Sequence, residues 1–206
     1  MDEGVLVTRA LAGDQQAFAA LVEAYQVPVY NLSYRMLGNA AEAEDAAQEA
    51  FVRAYLQLKT YDPAKRFSSW LFSIAAHYCI DQLRRRRFSW STLESLTGRD
   101  PQDHGALDPE ERALNNEEGR ELQRALMLLP ENYRLVLILR YWQDLSYEEI
   151  MAVTRISESA LKTRLHRARE MLAEKMRGGR ATPAMAQGLV QAVNRKEEGD
   201  GVLSEC

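Results

Sequence analysis

Donors and acceptors cluster late in the chain. Ser159, Lys162, Thr163, His166 and Arg167 share one face of a helix expected from Glu158 to about Met176, with Arg164 near its edge. Base edges in a major groove are read by such groups near the start of a helix, while lysine and arginine hold the phosphates. Leu161, Leu165 and Leu172 lie on the other face. The shorter helix before it offers Leu145, Ile150 and Val153, with Ile156 in the turn, so the pair forms the buried side of a helix-turn-helix. A basic amphipathic helix that only packs shares this pattern, and the pattern alone leaves both readings open. No constellation for bond-making chemistry accompanies it. His77, His104 and His166 lie in unlike contexts and form no triad, and Cys79 and Cys206 lack the clustered spacing of a metal or redox site. The expectation is a non-enzyme with two free thiols, no metal and no cofactor.

The 206 residues are 46% hydrophobic, 27% charged and 8% aromatic, which excludes collagen-like, disordered and disulfide-scaffold classes. The net charge of −4 conceals an alternation. Residues 1–58 hold 3 basic and 8 acidic side chains (−5), 59–90 hold 7 and 2 (+5), and 91–118 hold 2 and 8 (−6). Residues 119–177 then hold 11 and 8 (+3), and 178–206 hold 3 and 4 (−1). Two basic blocks set among acidic ones can steer a polyanion to chosen segments even though the sum is negative. No apolar run approaches the ~20 residues of a membrane helix, and Asp2 and Glu3 stand where a secretory signal carries cations. The expected location is the cytoplasm, without membrane insertion.

The elements that must position these groups read as helices. Phe18, Leu21, Val22 and Tyr25 begin an apolar stripe that Val29, Leu32, Met36 and Leu37 continue past Pro28, where a kink or break is expected. Gly38 stops that helix, and Asn39 offers the N-cap of a second, which runs to about Leu58. Asp62-Pro63 breaks the pattern, and Ser68-Ser69 reads as the N-cap of a third helix that ends in the run Arg84 to Arg87. Periodicity then lapses to about Glu118, the signature of an acidic linker. It returns in two helices separated by Pro130, and Ser146 with Glu149 forms a capping box. The fold class expected is all-α: two small helical domains, residues 1–90 and 119–177, joined by a flexible linker over 91–118 and followed by an extension over 178–206.

Five blocks in order carry a resemblance: residues 43–51 (AEDAAQEAF), 70–75 (WLFSIA) with Asp81 and the arginine run, 129–134 (LPENYR), 145–150 (LSYEEI) and 161–169 (LKTRLHRAR). The chain resembles the bacterial extracytoplasmic-function sigma factors of the sigma-70 superfamily, the minimal two-domain type. The resemblance implies a subunit of RNA polymerase that binds core enzyme through the clamp helices and flap, recognises minus-ten and minus-thirty-five promoter elements, and starts transcription. It also implies an anti-sigma protein as a further partner. By match of motif, Asp45, Gln48 and Glu49, with Arg53 one turn on, would face the clamp helices. Lys65, Arg66, His77, Arg84, Arg85, Arg86 and Arg87 would meet promoter DNA, and the loop 61–67 would hold a flipped base, with Tyr61 or Phe67 available for stacking. Phe67 has two readings, stacking and core; Trp70 is expected in the core.

Three departures from the family pattern stand out. His77 replaces a common Asn, Arg155 stands in the helix-turn-helix turn where Gly is frequent, and Met151 replaces a usual Ala. If position 155 takes a positive φ, a non-glycine costs on the order of 1 kcal/mol there. The linker reads either as a strand along the RNA exit path or as a plain tether. The extension reads as a short docking helix or as disorder. The alternative function is a free-standing helix-turn-helix regulator, which would leave the Asp45–Glu49 face without a role.

Overall fold

The chain winds through helices whose ends are set by identifiable caps, and a computed structural model describes residues 2–93 and 117–178. The linker and extension readings fall largely outside these residues. Among the described residues there is no strand. The first helix, α1 (Glu3–Leu11), was not anticipated; Asp2 caps it by accepting from the Gly4 amide, and Leu6, Val7 and Ala10 bury its inner face. Asp14 then caps α2 (Gln15–Leu37), accepting from the Gln16 and Ala17 amides. That helix passes through Pro28 without a break. The lost amide donor is outweighed by burial on both sides of it, with Phe18 and Leu21 before and Val29, Leu32, Met36 and Leu37 after.

Gly38 closes α2 at φ 74°, a left-handed conformation that glycine adopts without a Cβ penalty, and its amide donates to the Tyr34 carbonyl. Asn39 caps α3 (Ala40–Gln57) as its sequence indicates. The buried face of α3 is alanine at 43, 46, 47, 50 and 54, side chains small enough for its backbone to lie close to α2 and the fourth helix. A single 3₁₀ turn (Leu58–Thr60) follows, and α4 (Phe67–Leu93) begins earlier than expected and runs past the arginine cluster. Ser68 and Ser69 are therefore not its N-cap but lie buried in its first turn, where Phe67 anchors the start.

The second unit contains α5 (Glu117–Met127), α6 (Glu131–Tyr141), α7 (Tyr147–Thr154) and α8 (Glu158–Gly178). The capping box is present in full: Ser146 accepts from the Glu149 amide, and the Glu149 carboxylate accepts from the Ser146 amide. Arg155 ends α7 at φ 56° and ψ 37°, so this turn does take the left-handed conformation with a side chain in it. None of the described helices is long and apolar enough to cross a membrane.

Units α1–α4 and α5–α8 are packed together through one continuous core, in which α2 meets α5 and α6 while α4 meets α6 and α7. Arg134, 5% exposed, is the polar centre of this junction. Its guanidinium donates to the Met36 carbonyl of the first unit and to the Met127 and Leu129 carbonyls of the second.

Candidate nucleic-acid interface

The helix-turn-helix sorts its side chains as the spacing predicts. Leu161, Leu165, Ala168 and Leu172 are buried, whereas Ser159, Lys162, Thr163, His166 and Arg167 are exposed and Arg164 is half-buried. Lys162 Nζ lies 2.7 Å from Glu158 Oε1, and this partner raises the lysine pKa. His166 Nε2 lies 3.5 Å from Glu170. The Thr163 hydroxyl donates to the Ser159 carbonyl at 2.9 Å, which leaves its lone pairs as the groups able to accept from a base. The face thus offers cations and hydroxyls at the N-terminal half of α8.

The basic side chains of the first unit fall along α4 and the loop before it. His77, Arg84 and Arg85 are exposed. The imidazole Nδ1 sits 2.6 Å from the Ser73 carbonyl, so it donates there and Nε2 is left outward. Arg86 is half-buried against Glu42, and burial lowers its pKa. Lys65 and Arg66 are exposed beside the loop. The aromatic candidates lie inward instead: Tyr61 is 8% and Phe67 2% exposed, and their rings with Trp70 pack at 5.3–5.7 Å between centroids. The Tyr61 hydroxyl donates to the Lys65 carbonyl, which pins the loop to this cluster. Phe67 follows its core reading in this arrangement.

On α3, Asp45 and Gln48 are exposed, while Glu49 accepts from Arg53 Nε at 2.7 Å and the Arg53 guanidinium lies 4.8 Å from the Tyr78 ring centroid. These contacts hold Glu49 and Arg53 in place against α4. The sequence reading missed what continues the face. Val52, Tyr55 and Leu56 are 54%, 50% and 75% exposed. At 100° per residue Asp45, Glu49, Val52 and Leu56 fall in one narrow stripe, flanked by Gln48 and Tyr55. The signal was available as apolar residues at i+7 and i+11 from Asp45.

Two carboxylates of the second unit reach the basic groups of the first. Glu149 Oε1 lies 2.6 Å from Ser69 Oγ and 3.4 Å from Arg66 Nη1, and Glu131 pairs with Arg87. Burial pushes the Glu149 carboxyl up, but the Ser69 and Ser146 hydrogen bonds and the Arg66 charge outweigh it and hold it below its usual value. Glu131 is likewise pushed up by burial and brought below its usual value by the amide at its own position and by Arg87. Their contribution is therefore present at neutral pH and is lost as pH falls through these lowered values.

No cluster of three metal-ligating side chains occurs among the described residues. Cys79 is buried, and burial pushes its thiol up to about 12. In a Cys206→Ser chain the remaining thiol is expected to resist a thiol-specific reagent at pH 8 and to react stoichiometrically once denaturant is added. Rapid native labelling would contradict its placement.

The geometry is matched by comparison with known proteins. The family model described as Sigma-70 region 2 matches residues 21–89, and that described as Sigma-70, region 4 matches residues 119–172. The ECF RNA polymerase sigma factor SigW of Bacillus subtilis (strain 168) is 39% identical over 171 residues, covering 80% of this chain and 91% of that protein. The ECF RNA polymerase sigma-E factor of Escherichia coli (strain K12) is 33% identical over 182 residues, covering 85% and 95%. Among solved structures, CnrH in complex with the cytosolic domain of CnrY superposes with a TM-score of 0.65 at 24% identity, covering 85% of this chain and 97% of that one, a likeness of fold. The two family models and these relatives place the chain in its family: it belongs to the extracytoplasmic-function RNA polymerase sigma factors of the sigma-70 family.

Proposed function

We propose that this sigma factor docks on core polymerase through the α3 stripe of Asp45, Gln48, Glu49, Val52 and Leu56, and reads a bipartite promoter with its two helical units. The first unit, residues 1–90, takes the downstream element through Lys65, Arg66, His77 and Arg84 to Arg87. The second, residues 119–177, takes the upstream element through α8. It acts in the cytoplasm, without catalysis of its own. The observation that carries this reading is the separation of three exposed faces on three helices: an acidic and apolar one on α3, a cationic one on α4, and a hydroxyl-rich cationic one on α8. A free-standing regulator would use the last alone.

Transcription by core polymerase on a promoter library, with and without the chain, tests the whole reading; no chain-dependent initiation would end it. Within that assay Lys162→Ala or Arg164→Ala is expected to alter preference among upstream variants by about 1–3 kcal/mol, the worth of a side chain that reads a base edge. Arg169→Ala is expected to act on all sequences alike. Unchanged upstream preference for alanine at 159, 162, 163, 164, 166 and 167 would remove α8 as the reader.

A further inference from the structure

The turn that carries Lys65 and Arg66 has every residue from Asp62 to Arg66 exposed, while the aromatic residues that bracket it, Tyr61 and Phe67, are buried. A turn with no outward aromatic face recognises a base by hydrogen bonds and charge alone. Such groups discriminate only when held to within about 0.5 Å of their working geometry, so whatever fixes the turn bears on its selectivity.

Hydrogen bonds fix it from within and from beneath. Inside the turn the Ala64 amide donates to Asp62 Oδ1 and the Lys65 amide to the Asp62 carbonyl, each at 3.0 Å. From beneath, the Tyr61 hydroxyl donates to the Lys65 carbonyl. The Tyr61 ring meets Phe67 edge-on with 5.7 Å between centroids, and Phe67 meets the Tyr25 ring of α2, also at 5.7 Å. Tyr25 lies outside both the turn and α4. Its hydroxyl donates to the Glu3 carboxylate, which arrives from the first turn of α1. Burial, and then this carboxylate, push the Tyr25 hydroxyl above its ordinary value, so it stays a neutral donor. Burial and then the Glu3 and Asp62 charges raise Tyr61 as well, which places Glu3 within electrostatic reach of both hydroxyls. An unbroken series of contacts thus runs from the start of α1 to a backbone carbonyl of the exposed turn. Glu3 is not needed to cap α1, because Asp2 fills that place by accepting from the Gly4 amide. Its partner is 22 positions away on another helix.

We propose that Glu3 and Tyr25 are positioning residues for the downstream readout: acting through Phe67 and Tyr61, they fix the Lys65 carbonyl and the side chains beside it, and so set which downstream base the first unit prefers. The inference rests on the proposed assignment of Lys65 and Arg66 to the downstream element. It gives α1, which precedes the matched region 2 segment of residues 21–89, a part in promoter selection.

The test is transcription by holoenzyme, reconstituted with full-length variants, on promoter libraries randomised at the downstream or the upstream element. Tyr25→Phe keeps the ring and removes the donor, and Glu3→Ala removes the acceptor. Each is expected to narrow the ratio of initiation between the preferred base and the others at a downstream position by about threefold to fivefold, the scale of one lost hydrogen bond, with upstream preference as in wild type. Glu3→Gln retains an acceptor for the hydroxyl and should restore the downstream preference. A loss of stability alone scales initiation on every promoter alike and leaves these ratios in place. Wild-type ratios for both Tyr25→Phe and Glu3→Ala overturn the proposal. Lys65→Ala and Arg66→Ala, measured alongside, separate that result from a failure of the underlying assignment. If those two still lower initiation, the turn meets the element without help from α1; if they also leave it at the wild-type level, the turn is not the reader and the proposal falls with it.

Discussion

Replacing Arg134 by methionine is expected to lower the stability of the chain by about 3 kcal/mol, although methionine fills a similar volume. The guanidinium forks to three carbonyls, those of Met36, Met127 and Leu129, from a buried position. Hydrogen bonds from a charged donor are worth about 1.5–3 kcal/mol each, and carbonyls left bare in a core carry a desolvation penalty. Against this stands the relief of no longer burying a charge; burial already lowers the Arg134 pKa to about 10, which leaves it protonated at neutral pH. For a chain of this length the loss corresponds to a fall in Tm of about 6–12 °C. Lysine should recover part of it at most, since one ammonium does not reproduce the planar fork. Thermal and urea melts of the three proteins check this, and an unchanged midpoint for Arg134→Met would show that these bonds do not hold the junction.

The second large effect is expected at the docking stripe. Asp45→Lys and Leu56→Asp should each weaken binding to core polymerase by about 30-fold, the scale of a 2 kcal/mol anchor residue at the centre of an interface. Both positions are exposed, so helical content should stay at the wild-type level. Glu49→Lys should also weaken docking, but it additionally breaks the pair with Arg53. Binding titrations with labelled core enzyme separate these cases. Wild-type affinity for both Asp45→Lys and Leu56→Asp would show that polymerase uses another face.

What could be read in advance was whatever depends on neighbours in sequence. The Asn39 cap, the Gly38 stop and the Ser146–Glu149 capping box are local arrangements of side chain and amide, and each occurs as its residues indicate. The heptad-like separation of Leu161 and Leu165 from Lys162 and His166 is equally local. Failures came where tertiary packing decided. Ser68 and Ser69 have the chemistry of an N-cap, but burial of Phe67 draws the helix start two to three residues earlier and leaves Ser69 facing Glu149, 80 positions away. Of the kink or break expected at Pro28, the break does not occur, because the apolar residues on both sides of it are held in one core. Phe67 could not be assigned between base stacking and core from its loop context, because only the surrounding Tyr61 and Trp70 rings distinguish them. Arg134 lay within a recognised sequence block, but its partner Met36 lies 98 positions earlier and no periodicity connects the two.

Glu149 carries a consequence for how this chain can vary. One carboxylate oxygen accepts from the Ser146 amide and starts α7, while the other accepts from Ser69 across the junction. Aspartate, one methylene shorter, cannot span both donors, and alanine abandons both; glutamine keeps the span but not the charge. A drift in sequence at this position therefore changes the start of α7 and a hydrogen bond between the units in the same step. Neither property can be tuned there alone, so divergence in one must be accommodated by compensating replacements at Ser69 or Ser146.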